Sequence, residues 1–179
     1  ADGVQDANEA GLANVTVRLL AADGVTVTTS TTTNASGNYN FGNLAPGQYG
    51  VLVVSPTGYE TSPIDQGGND TTDSDANGAG VIAPAMIFSG DARTDLDAGL
   101  FQRVTIGDRV WLDSNGNGLQ DSGEANAPGV TVRLLNQAGT VIATTATNAS
   151  GNYTFANLLP GTYSVTFVAP GGTLFTTRD

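Results

Sequence analysis

The stretch Val104 to Leu135, VTIGDRVWLDSNGNGLQDSGEANAPGVTVRLL, decides how the chain folds. Its middle, Asp113 to Glu124, matches the twelve-residue calcium loop D-x-[DN]-x-[DN]-G-x5-E at every specified position. Calcium takes oxygen ligands, and the spacing offers Asp113, Asn115 and Asn117 at positions one, three and five. The Leu119 carbonyl follows at seven, Asp121 at nine and the Glu124 carboxylate at twelve, while Gly118 at six permits the turn. Such a loop usually joins two helices, but its flanks here have a period of two. Upstream, Val104, Ile106 and Val110 are separated mostly by polar residues; downstream, Val130, Val132 and Leu134 alternate with Thr131, Arg133 and Leu135. The context is strand-loop-strand. It predicts a structural ion that staples a β-domain, in place of a sensor that opens a helix pair.

Working outward, the same plan occurs twice. Gly3–Glu9 corresponds to Gly118–Glu124, and Val-Thr-Val-Arg-Leu-Leu recurs identically at Val15–Leu20 and Val130–Leu135. Asn34–Tyr39 recurs as Asn148–Tyr153, Asn43–Gly47 as Asn157–Gly161, and Tyr49 and Tyr163 head matching strands. Short apolar-polar segments between Gly, Pro, Asn and Asp turns predict an all-β chain of two tandem β-sandwich modules, residues 1–102 and 103–179. The first module holds only the second half of a loop, with Asp2, Val4, Asp6 and Glu9 at positions five, seven, nine and twelve, and it lacks an opening strand. The second stops short of the strands that close the first. Both features are expected of a window taken from a longer periodic protein. The connection through Leu100–Ile106 is too short to be a flexible linker, so a rod with limited hinge motion is expected.

Composition narrows the chemistry. There are no Cys, His or Lys residues, so disulfides and Lys-dependent crosslinks are excluded, and small modules must draw stability from packing and bound ions. Seventeen acidic residues against six Arg give a net charge of −11. The arginines are scattered singly, which argues against nucleic acid, and the acidity argues against an anionic membrane. No apolar run approaches membrane-spanning length. Without His, Cys or Lys as base or nucleophile, and with the carboxylates allotted to loop positions, no catalysis is expected.

A second acidic tract, Asp65 to Asp75, pairs by composition with Asp91 to Asp97. It reads either as a solvated loop or as another calcium site, in which Asp73 and Asp75, alternating on an extended segment, face Asp95 and Asp97 from a strand, with Asp70 a further candidate ligand. Trp111 reads as a core anchor beside the loop, and Tyr39, Tyr49, Tyr153 and Tyr163 as packed residues at repeated strand positions.

The run Val110–Glu124, followed by Pro-Gly-Val-Thr-Val, Gly-Asn-Tyr-Thr-Phe and Asn-Leu-Leu-Pro-Gly-Thr-Tyr, closely resembles the B-type repeats of serine-aspartate repeat surface adhesins. In the first module, Asp73–Asp75, Gly80–Ile82 and Asp95–Gly99 are similar to that family's acidic loop and closing strand. The resemblance implies immunoglobulin-like (prealbumin-like) sandwiches related to the collagen-adhesin B-type modules, arrayed as a stalk on a bacterial surface, with more than one calcium per module. Some relatives carry a Lys–Asn isopeptide bond, which a chain without Lys cannot form.

The function expected is therefore a calcium-binding structural repeat of an extracellular bacterial stalk, its partners being neighbouring modules or copies of itself. Two alternatives stand beside it: a self-assembling filament subunit, and a module that binds a host protein or glycan.

Overall fold

The computed structural model describes residues 1–176 and builds them from eleven β-strands, with no helix and with every strand pair antiparallel. Hence no helix among the described residues is long and apolar enough to cross a membrane. The chain divides into two compact units, Ala1–Gln102 and Arg103–Asp179.

In the first unit, β1 (Thr16–Leu20) lies between β2 (Val27–Thr32) and β3 (Gly47–Val54), and β5 (Val81–Ile87) extends the sheet from β3. A short pair, β4 (Tyr59–Thr61) with β6 (Leu100–Gln102), stands apart from it. Alternation makes β1 the centre: Val15, Val17 and Leu19 are buried while Arg18 points outward. Val15, Val17, Val51, Val53 and Ile82 form one apolar layer, and Tyr39, Phe41, Leu96, Ala98 and Leu100 pack on it.

The second unit repeats this with its second layer formed as a sheet. Strand β8 (Thr131–Asn136) lies between β9 (Val141–Ala146) and β11 (Tyr163–Val168), and β7 (Val104–Arg109) pairs with β10 (Asn152–Leu158). Val132 and Leu134, both fully buried, meet Tyr153 and Phe155 of β10, with Ile106 and Val110 packed against them. Tyr153 sits edge-on to Phe167 at 5.4 Å between centroids, joining β10 to β11. Trp111 differs from the reading above. It forms an isolated bridge with Asn126 at the base of the loop and stays out of the apolar cluster. Tyr39 differs too: residues 38–44 form no strand, although their counterparts are β10. Tyr49 and Tyr163 lie in β3 and β11 and donate to the carbonyls of Ala45 and Leu159.

Each unit is locked at the same corner by a buried threonine. The Thr33 hydroxyl accepts from Val15 N–H at 2.9 Å and donates to Leu12 C=O at 2.6 Å. Thr147 does the same for Val130 and Ala127, also at 2.9 and 2.6 Å. Beside it Gly151, at φ 77°, approaches so closely that a Cβ would meet the Val110 carbonyl oxygen at 2.3 Å. Replacing the hydroxyl by a methyl orphans a buried donor and a buried acceptor. Thr147→Val is expected to lower unfolding free energy by about 2 kcal/mol, and Leu134→Ala by about 3 kcal/mol through the cavity it leaves. Urea unfolding followed by the fluorescence of Trp111, the single tryptophan, reads both in the second unit, and an unchanged midpoint for Thr147→Val would refute the lock.

Candidate metal centres

The loop Asp113–Glu124 leaves β7 by way of Trp111 and returns at Asn126, and its base is closed by Leu112 N–H donating to Ala125 C=O at 2.8 Å. Both sides are β-type. Asp113 Oδ1 accepts from the N–H groups of Gly116 (2.7 Å) and Asn117 (3.2 Å), and Oδ2 from that of Gly118 (2.8 Å). Desolvation pushes this carboxyl up, but the N–H groups of Gly118 and Gly116, aided by the side chain of Thr176 and the Asn117 N–H, hold it below the ordinary range. Asp121 Oδ2 receives the side-chain amides of Asn115 and Asn117, both at 2.8 Å, and these hold its carboxyl low as well. Glu124 reaches back to the N–H groups of Ser114 (2.9 Å) and Asp121 (3.0 Å). Leu119 N–H donates to Asn117 Oδ1 at 2.7 Å, and its side chain is exposed. Hydrogen bonding thus gathers Asp113, Asn115, Asn117, Asp121 and Glu124 around one small volume.

The half-loop of the first unit keeps the same local bonds. Val4 N–H donates to Asp2 Oδ1 at 3.2 Å as Leu119 does to Asn117, and Asp6 N–H donates to Glu9 Oε2 at 3.2 Å as Asp121 does to Glu124. Its surroundings were not foreseen. Gln5 N–H donates to Thr72 C=O at 2.7 Å, Ser74 N–H to Gly3 C=O at 2.9 Å, and Val4 bridges Asp73. The half-loop therefore lies along the acidic tract.

Within that tract Asp70, Asp73 and Asp75 each bring a carboxylate oxygen within 4.8 Å of the others. Asp73 is only 6% exposed, and its Oδ1 has no hydrogen-bond partner. Asp75 N–H donates to Asp97 C=O at 2.9 Å and Asp97 N–H to Asp75 Oδ2 at 2.6 Å, which sets these two residues side by side. Burial, followed by the charges of Asp75, Asp95, Asp73 and Asp70, pushes Asp97 up to about 6. Asp75 is raised by burial in spite of the Asp97 N–H bond, with Asp70, Asp73 and Asp65 adding to the rise. Asp95 goes elsewhere. Arg93, two residues upstream, takes both its oxygens at 2.7 and 2.8 Å and holds its carboxyl low. Of the five aspartates expected together, the fold gathers Asp70, Asp73 and Asp75, places Asp97 beside Asp75, and commits Asp95 to an arginine.

Comparison with known proteins agrees with this architecture. The SdrD B-like domain family model matches residues 1–100 and again 104–179. Serine-aspartate repeat-containing protein E of Staphylococcus aureus is 42% identical over 173 residues, covering 96% of this chain and 14% of that protein. The bone sialoprotein-binding protein of the same species shows the same identity and coverage. Among solved structures, the Bacillus anthracis TIE protein aligns with 97% of this chain and 28% of its own at 18% identity and a TM-score of 0.41, too low to carry an argument. The chain thus spans about one seventh of its curated relatives. With both units matched and the relatives aligned across nearly all of it, this chain belongs to the SdrD B-like domain family.

Proposed function

We propose that the chain is a calcium-binding structural repeat that stiffens an extracellular stalk of a bacterial surface adhesin. The observation that carries the reading is the Asp73 carboxylate, buried beside Asp70 and Asp75 with one oxygen unpartnered. A buried anion among anions is costly unless a cation joins it, and three aspartate oxygens suit a hard divalent ion. The Asp113–Glu124 loop supplies a second set of oxygen donors. There Asn115 and Asn117 currently turn their amide N–H groups toward Asp121, and to serve as ligands they must present their oxygens instead. Asp2, Asp6, Glu9 and the Val4 carbonyl repeat the second half of that loop, and Asp97 lies within reach of the Asp75 cluster by its backbone pairing. When bound, calcium supplies positive charge and coordination bonds between segments far apart in sequence. The protein's residues contribute no reactive centre to this role; what they provide is stiffness.

Binding to the folded state alone stabilises it by about 2.7 kcal/mol per site when calcium is at a hundredfold its dissociation constant. Calcium titrated calorimetrically into the chelator-stripped chain should therefore bind at more than one site and raise the melting temperature by several degrees. Melting indifferent to calcium would end the proposal. Asp113→Ala or Glu124→Ala should weaken one class of site and loosen the second unit, leaving the Asp70–Asp75 class in place. Asp73→Asn should weaken that other class and, in calcium-free protein, raise the stability of the first unit, because it removes an uncompensated buried charge.

The pH dependence has a definite sign. Asp97 rises in the fold from 3.8 to about 6, so its protonated form favours folding, and that advantage is lost as pH climbs through this window. Asp113 and Asp121 are lowered and complete their contribution below it. Calcium-free protein should therefore melt higher near about pH 5 than near about pH 7, and calcium should reverse the order. The same order with and without calcium would dissociate Asp97 from metal binding.

A further inference from the structure

The second half of the Asp113–Glu124 loop is held to the first by bonds that an ion would consume. Asn115 and Asn117 reach Asp121 through their amide N–H groups, and Leu119 N–H donates to Asn117 Oδ1. Glu124 accepts from the N–H groups of Ser114 and Asp121. Every accepting or donating side chain in these bonds is one the calcium pattern allots to the ion. To present their oxygens, Asn115 and Asn117 must surrender the very amide bonds that now hold Asp121.

Arg109 supplies a tie of a different kind. It is the last residue of β7 and opposes Asn152 of β10, so its backbone is fixed in a sheet before the loop begins. The Gln120 amide oxygen accepts from its Nε at 3.2 Å and from its Nη1 at 2.9 Å. Chemistry sets that orientation, because a guanidinium only donates and an amide N–H group cannot accept from it. The remaining nitrogen, Nη2, donates to Asn126 Oδ1, on the residue that bridges Trp111 at the loop base. A single planar fork on the entering strand thus grips loop position eight and the loop exit together. Neither Gln120 nor Asn126 occupies a ligand position, so these bonds survive when the others are given up. Gln120 stands between the Leu119 carbonyl at position seven and Asp121 at position nine, and holding it holds both donors.

We infer that Arg109 is a positioning residue for cation binding: its guanidinium clamps Gln120 and Asn126, keeping the Leu119 carbonyl, Asp121 and Glu124 gathered while the bonds within the loop give way to an ion. The inference rests on the calcium reading of the loop and deepens it by assigning affinity to a side chain that is itself a cation. That charge makes the effect directional. By charge alone a guanidinium disfavours a neighbouring cation, so its removal would tighten binding. As a clamp that orders ligands from behind, its removal weakens binding, and partners of that kind are worth roughly tenfold to a hundredfold in metal affinity.

The experiment titrates terbium(III), a hard oxygen-seeking cation, into the chelator-stripped full chain and then displaces it with calcium. Its emission is excited through Trp111, the single tryptophan, which sits at the loop base and so reports the loop. Arg109→Ala should raise the dissociation constant read this way by roughly tenfold or more, while calcium binding at the Asp70–Asp75 class, followed calorimetrically, stays unchanged. Arg109→Lys should fail as well, because an ammonium does not reproduce the fork. Gln120→Ala, at an exposed position, should weaken binding while leaving calcium-free melting unchanged, and the double variant should lose less than the sum of the two losses. Unchanged or tighter binding in Arg109→Ala would overturn the inference, as would full affinity in Arg109→Lys or additive losses in the double variant. A fall in Gln120→Ala affinity matched by an equal fall in calcium-free stability would overturn it too, assigning the bonds to the fold alone. A failure of the calcium reading looks different: the unsubstituted chain would give no sensitised emission and would melt alike with and without calcium, and the clamp would fall with it.

Discussion

The inward row of the central strand, Val15, Val17 and Leu19 in one unit and Val130, Val132 and Leu134 in the other, is the constraint on which the rest depends. Each buried aliphatic side chain contributes roughly 1.5–3 kcal/mol, and the chain has no disulfide to replace any of it. Because side chains alternate across a strand, burying this row fixes the register of both neighbouring strands and sends Arg18 and Arg133 to the outside. The buried hydroxyls of Thr33 and Thr147 then satisfy the backbone where the chain enters that strand. These features carry the loops at the sheet ends.

The loops hold what the core does not need. A carboxylate with an unpartnered oxygen at Asp73, and an acid pushed up to about 6 at Asp97, lower the stability of the metal-free fold. Small β-modules that keep such groups trade stability in one ionic condition for stability in another. Several carboxylate oxygens gathered in one place suit a hard divalent cation. Coordination there would tie the Gly3–Gln5 segment, the 70–75 tract and the approach to β6 together, segments that the sheets leave joined by only a few hydrogen bonds.

Much of this was legible in advance, for local reasons. The twelve-residue loop was readable because all its donors fall within one turn-rich segment, and the hydrogen bonds that gather Asp113, Asn115, Asn117, Asp121 and Glu124 are themselves short-range. The all-β class was readable because a period of two recurs in both copies. The pairing of Asp95 with Arg93 is not legible in spacing alone, because spacing does not say that an arginine two residues away offers a bidentate fork. Trp111 was misread because its size suggests a core residue, whereas its place at the loop base follows from the pairing with Asn126.

By itself the sequence determined the strand periodicity, the duplication, the oxygen-rich make-up of the loop and the absence of Cys, His and Lys, all properties of residues near one another or of composition. Only the tertiary structure decided that Val4 lies against Asp73, that Asp75 and Asp97 are neighbours, and that Asp95 pairs with Arg93. The physical reason is the same for each. Which distant segments meet is set by how the sheets close over a common core, which local residue patterns do not specify.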